Sequence, residues 1–223
     1  IAVAALAWAV GSGRSALAPV GVALGTWLVA GAASEVAFRA AYVPRRLLRL
    51  PRADWGKAIA HAGLGVTFVG IALITAWNVE DIRVARIGET FDVGGYSMTL
   101  EAVDENVEGP NYLSTVARVA VARDGQAIAT IFPEKRVYPV ARMPTTEAAI
   151  RNGLLRDIYV VIGDRQADGG WAVRTYIKPF ANWIWAGALM MAFGGALSLS
   201  DRRYRVAAGA RTARNGAAAN PAE

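Results

Sequence analysis

The 223-residue sequence predicts a membrane protein whose α-helical transmembrane segments carry an inserted small all-β domain, a barrel or a sandwich. Three observations lead there. Apolar runs of spanning length lie at 16–33, 58–77 and 180–200, against the roughly 20 residues a helix needs to cross a hydrocarbon core. Lys and Arg in the short connections collect on one side of these runs. Between the last two runs the texture changes to Val, Ile, Thr and Tyr broken by Gly and Asp-Gly, as strands and tight turns require.

Residues 1–33 read as the end of one transmembrane helix followed by a complete one. Ile1–Val10 is apolar but too short to span, and Gly11–Pro19 turns the chain back. The chain opens in mid-hydrophobic sequence, without an initiator Met or the basic region of a signal peptide, so a fragment with earlier helices upstream is expected. Residues 34–57 form a basic loop with Arg39, Arg45, Arg46, Arg49, Arg52 and Lys57. Residues 58–77, AIAHAGLGVTFVGIALITAW, form a transmembrane helix bearing His61. Residues 180–200 form the last one, with Trp183 and Trp185 near one end and a cationic cluster past the other. The tail 201–223, alanine-rich after Arg205, is expected to be disordered.

Basic short loops stay in the cytoplasm, so the C-terminus is expected there and residues 78–179 outside. Charge divides accordingly: residues 78–179 carry a net −2 and the remainder +8, which together make the overall +6. The high pI therefore reports membrane topology, and without a basic stripe interleaved with aromatics it excludes nucleic acid as a partner.

In the outer segment, Thr115–Arg123 and Gln126–Phe132 flank Asp124-Gly125, the signature of a two-residue type I′ hairpin. Gly94-Gly95 joins a second pair, Glu89–Val93 and Tyr96–Val103. A third joins Asp157–Ile162 to Trp171–Ile177 across Gly163–Gly170. Six or so strands are expected, with a short helix over Thr146–Gly153.

Chemically the outer segment is sparse, having carboxylates but no histidine, cysteine or glycine-rich phosphate loop. Zero cysteines exclude disulfides and thiolate ligation by this chain. Gly63, Gly65 and Gly70 lie within a membrane run, away from any strand-to-helix turn, so they point to close helix packing before any nucleotide or cofactor role. Arg136, Tyr138, Arg142, Arg151 and Arg156 are candidates for haem propionates or an acidic partner, against the plainer reading of solvated or paired arginines.

His61 is the only histidine, set in a run whose other members carry no charge. An ionisable group there marks a functional site by default, yet one imidazole specifies no chemistry. Packing through a hydrogen bond, proton relay and axial ligation of haem iron all remain open, while a zinc site would need further ligands.

Several stretches resemble the C-terminal part of the CcmF/NrfE family of haem lyase subunits. They are RVYPVARMPTTEAAIRNGLLRDIYVVIGD (Arg136–Asp164), GGWAVRTYIKPFANWIWAGALMMAFGGALSLSDRRYR (Gly169–Arg205), AHAGLGVTFVGIA around His61, and ETFDVGGYSMTL from Glu89. The resemblance runs from about Trp55 to Arg205. It implies a multi-pass bacterial inner-membrane protein, with residues 78–179 periplasmic. Such a protein receives haem from a periplasmic haem chaperone and attaches it to apocytochrome c CxxCH thiols together with other haem lyase subunits. Haem is then both transferred substrate and, as an integral haem b held between transmembrane histidines, cofactor.

His61 matches the family's histidine in the penultimate transmembrane helix, which implies a ligand to the iron of that haem b. The resemblance carries over no catalytic residue. The family's tryptophan-rich haem-handling motif and its other histidines have no counterpart in this chain. The second ligand is therefore expected from the N-terminal part, and the fragment alone is expected to be inactive. The alternative is a membrane-anchored periplasmic binding or scaffold module of an assembly complex, with no cofactor of its own.

Overall fold

The computed structural model describes residues 15, 17–140 and 143–201. Arg14, Arg142, Ile1–Val10 and the tail beyond Asp201, all of which figure in the sequence reading, lie outside the described residues. The described chain divides into a helical unit, up to Ala72 and again from Trp183, and a β unit, Leu73–Asn182.

The helical unit contains α1 (Ala18–Arg39), the four-residue α2 (Pro44–Leu47), most of α3 (Arg52–Trp77) and α4 (Ala181–Leu199). Among the described residues α1, α3 and α4 are the helices long and apolar enough to cross a membrane. Pro19 sits in the first turn of α1, where its missing N–H costs nothing.

The expected basic loop 34–57 is shorter than its composition suggests, because α1 continues to Arg39 and α3 begins at Arg52. Charge pairing explains the extension. Glu35 accepts from Arg39 Nε at 3.1 Å one turn away and from Lys57 Nζ on α3, and Arg39 Nη1 lies 3.1 Å from Asp54 Oδ1. α1 ends in a Schellman motif, with Tyr42 N–H donating to Ala37 O at 2.9 Å and Ala41 N–H to Phe38 O at 2.8 Å. Ala41 and Tyr42 both take positive φ, 52° and 56°, where Gly is the usual occupant.

α3 runs antiparallel to α1 and α4, and glycines set both contacts. A Cβ on Gly65 would lie 2.5 Å from Gly25 O, and one on Gly63 would lie 2.7 Å from Gly187 O. Gly56 and Gly194 meet the same way at 2.5 Å. The packing role expected for Gly63 and Gly65 is borne out, and Gly70 is buried. Asp201 closes the unit: its buried carboxylate accepts from Ala53 N–H at 3.1 Å, capping the first turn of α3 from 148 residues away.

Among its described residues the β unit has ten strands where about six were expected. They are β1 (Val79–Ala85), β2 (Thr90–Val93), β3 (Tyr96–Glu108), β4 (Leu113–Arg123), β5 (Gln126–Ile131), β6 (Glu134–Tyr138), β7 (Met143–Glu147), β8 (Ala149–Arg151), β9 (Arg156–Arg165) and β10 (Trp171–Pro179). One sheet has the order β1-β10-β9-β8; the other has β2-β3-β4-β6-β7, with β5 also paired to β4. All pairs are antiparallel.

The core comes from alternate residues of both sheets, with Ile158, Val160, Ile162 and Val173 facing Met98, Leu100, Val119 and Val121. This is the sandwich of the two expected alternatives. Asp124-Gly125 and Gly94-Gly95 make two-residue turns with positive φ at all four positions, as a type I′ turn demands. β9 and β10 form the third hairpin, both strands running beyond the expected limits.

The expected helix over Thr146–Gly153 is not formed. Met143–Glu147 pairs with β6 and Ala149–Arg151 with β9. Cross-strand pairing supplies partners that override the weak helical signal of Glu147–Ile150.

Candidate functional site

α3 holds His61 nine positions past Arg52, about 13 Å along the helix axis. The entry to α3 is fixed from three directions: Asp201 caps Ala53, Trp55 Nε1–H donates to Leu47 O at 3.1 Å, and the Glu35–Lys57 pair ties α3 to α1. Lys57 O lies one turn before His61 and is 2.8 Å from His61 Nδ1. A carbonyl only accepts, so Nδ1 donates, which leaves Nε2 as the ring nitrogen not tied to Lys57 O.

The imidazole is exposed, at the edge of a groove of about 170 Å³ lined on α1 by Trp27, Leu28, Gly31, Ala32 and Glu35. Trp27, Gly31 and Glu35 follow one another at four-residue spacing and share a helix face. Gly31 has open space where a Cβ would stand, which leaves a flat shelf between Trp27, 70% exposed, and Glu35.

What the residues present offer a haem is one exposed imidazole tied to Lys57 O through Nδ1, beside Gly31, where a Cβ would meet nothing within 4 Å. At about 170 Å³ the groove is smaller than the roughly 300–1,000 Å³ of a self-sufficient ligand pocket. No group of three or more His, Cys, Asp or Glu side chains able to hold a metal ion occurs among the described residues.

The arginine candidates of the β unit are not brought into one site. Arg136 is spent on carboxylates, 2.8 Å from Glu134 and 3.6 Å from Glu147, and its guanidinium lies 4.6 Å from the Tyr112 ring centre. The Glu134 hydrogen bond holds the Arg136 guanidinium above its ordinary range. Tyr138 packs edge-on to Tyr112 at 5.6 Å. Arg151 and Arg156 belong to the other sheet, without a carboxylate partner among the described residues.

Glu35, Trp27 and Asp201 were not singled out in the sequence. The four-residue spacing of Glu35 and Arg39 was the signal that could have marked one of them.

Residues 76–179 match the family model described as CcmF C-terminal beta-sandwich. The cytochrome c-type biogenesis protein ccl1 of Rhodobacter capsulatus is 59% identical over 213 residues, 96% of this chain and 32% of the relative. The cytochrome c-type biogenesis protein CcmF of Escherichia coli is 42% identical over 201 residues, 90% of this chain and 30% of the relative.

The chain belongs to the CcmF family. A solved structure titled Cytochrome c Heme Lyase CcmF superposes with a TM-score of 0.67 at 20% identity, covering 89% of this chain and 34% of that one, so the CcmF fold extends over the helices as well. The resemblance noted in the sequence is thus borne out, together with the fold class of apolar helices plus a β-sandwich. The chain spans about a third of the length of the CcmF-family relatives it matches.

Proposed function

We propose that this chain works as part of a bacterial inner-membrane haem lyase that matures c-type cytochromes, with His61 as an axial ligand of an integral b-type haem. The observation that carries the reading is the His61 ring itself, tied to Lys57 O through Nδ1 and exposed at the groove that Gly31 also lines. When bound, that haem would supply an electron to a second haem as it is attached to the CxxCH thiols of apocytochrome c.

The chain's own residues bind and orient. His61 Nε2 would hold the iron, Lys57 O orients the ring through Nδ1, and Trp27 and Leu28 line the groove beside it. The second ligand comes from another part of the protein.

In this reading residues 78–179 are periplasmic, where a haem chaperone, apocytochrome c and other lyase subunits meet them, and the C-terminus is cytoplasmic. The arginine-rich segment between α1 and α3 and the net −2 of residues 78–179 support that orientation. The test is the His61→Ala variant of the full-length protein. Loss of the b-type absorption at normal protein abundance is expected. Unchanged haem content would overturn the ligation and leave a scaffold role.

A further inference from the structure

Across the α1–α3 pair from His61 lies a second and larger groove of about 530 Å³, within the helical unit. Ala33, Val36 and Ala37 of α1, Ile59 and Ala62 of α3 and Met190 of α4 form its walls. The lining is almost wholly carbon, and the polar Trp55 Nε1 at its edge is already satisfied by Leu47 O. Its volume lies within the roughly 300–1,000 Å³ typical of ligand sites.

One end is closed by α2, which turns Pro44 and Leu47 to the groove while Arg45 and Arg46 are exposed. Arg49 and Arg52 follow, exposed as well. The contrast with their neighbours matters. Arg39 and Lys57 are neutralised by Glu35 and Asp54, whereas Arg45, Arg46, Arg49 and Arg52 have no carboxylate partner among the described residues. Tyr42, 75% exposed yet part of the lining, and Leu48, 93% exposed, give the same segment the mixed aromatic, apolar and cationic surface of a headgroup-level anchor. An apolar slot that ends at four uncompensated arginines calls for a ligand with a hydrocarbon body and an anionic head.

We propose that this groove binds an anionic phospholipid, its acyl chain lying between α1 and α3 and its phosphate meeting Arg45, Arg46 and Arg49. Basic pockets between membrane helices on the cytoplasmic side hold such headgroups. The groove and the His61 groove lie on different sides of the α1–α3 pair, sharing only Ala32. Its failure and that of the haem reading are separable, because the arginines do not touch the His61 groove.

The test uses full-length protein in nanodiscs containing trace phosphatidylglycerol or phosphatidylcholine, each bearing a photoreactive diazirine on the acyl chain, with labelled residues mapped by mass spectrometry. The phosphatidylglycerol probe is expected to label Val36, Ala37 and Ile59 about tenfold more than the phosphatidylcholine probe. The triple variant R45Q/R46Q/R49Q is expected to remove that difference while keeping the b-type absorption. Equal labelling by both probes would overturn the proposal. So would an unlabelled groove beside labelled Leu189 and Phe193, two exposed positions of α4, since protein would then cover it.

Discussion

A neutral imidazole on a helix has two nitrogens to place, and His61 commits one of them to the backbone of its own helix. The exposed ring argues against a histidine buried for packing, while Glu35 in the same groove leaves a proton relay standing beside ligation.

Asp201 decides a different matter at the same scale. Its carboxylate accepts from Ala53 N–H in a buried setting, so Asp201→Ala is expected to lower stability by about 1 kcal/mol. The check is thermal unfolding of the full-length protein, with Asp201→Asn recovering part of the loss. In the β unit, the hydrogen bond from Arg136 holds the Glu134 carboxyl below the ordinary carboxylate range, against the opposing effect of burial and with help from Ser114. A depressed folded value stabilises above the unfolded value, near 4.3, and that stability is lost as pH falls through the folded one. Wild type is therefore expected to exceed Glu134→Gln in thermal stability near neutrality. The gap should narrow as pH falls below the unfolded value and close below the folded one, and a gap that does not narrow would contradict the assignment.

Among elements, close approach and chain reversal are what the helices need most. Gly65→Ala places a methyl 2.5 Å from a backbone oxygen of α1 that cannot step aside, and lower abundance and a lower melting temperature are expected. Gly195→Ala, which meets nothing within 4 Å, serves as the control and is expected to be neutral or slightly stabilising through helix propensity. Ala41 pays for its left-handed position at the end of α1, so Ala41→Gly is expected to stabilise by about 1 kcal/mol in the same melting assay.

What was legible in the sequence follows from how local each signal is. The Asp-Gly and Gly-Gly turns specify their backbone within two residues, so both hairpins were readable. β7 and β8 exist only because β6 and β9 lie alongside, which no local pattern announces. For the same reason helix was expected where strands form, and the basic loop was drawn too long, since the Lys57–Glu35 pair that extends the helices joins residues 22 apart.

For the whole molecule, the division of charge was readable as a sum, while the groove at His61 was not, because it needs α1 and α3 side by side. His61 could be named as a candidate from its isolation alone. The shelf, the tautomer and the Glu35–Lys57 tie that complete the site are products of helix packing. The sandwich and the apolar helices agree with CcmF-family membership.

The most direct measurement is low-temperature electron paramagnetic resonance of the full-length protein in its ferric form, for wild type and His61→Ala, without and with added imidazole. The account predicts a low-spin signal of two imidazole ligands in wild type. It predicts loss of that signal, or conversion to high spin, in His61→Ala, with recovery when imidazole fills the vacated axial position. A wild-type low-spin signal that survives unchanged in His61→Ala would contradict it.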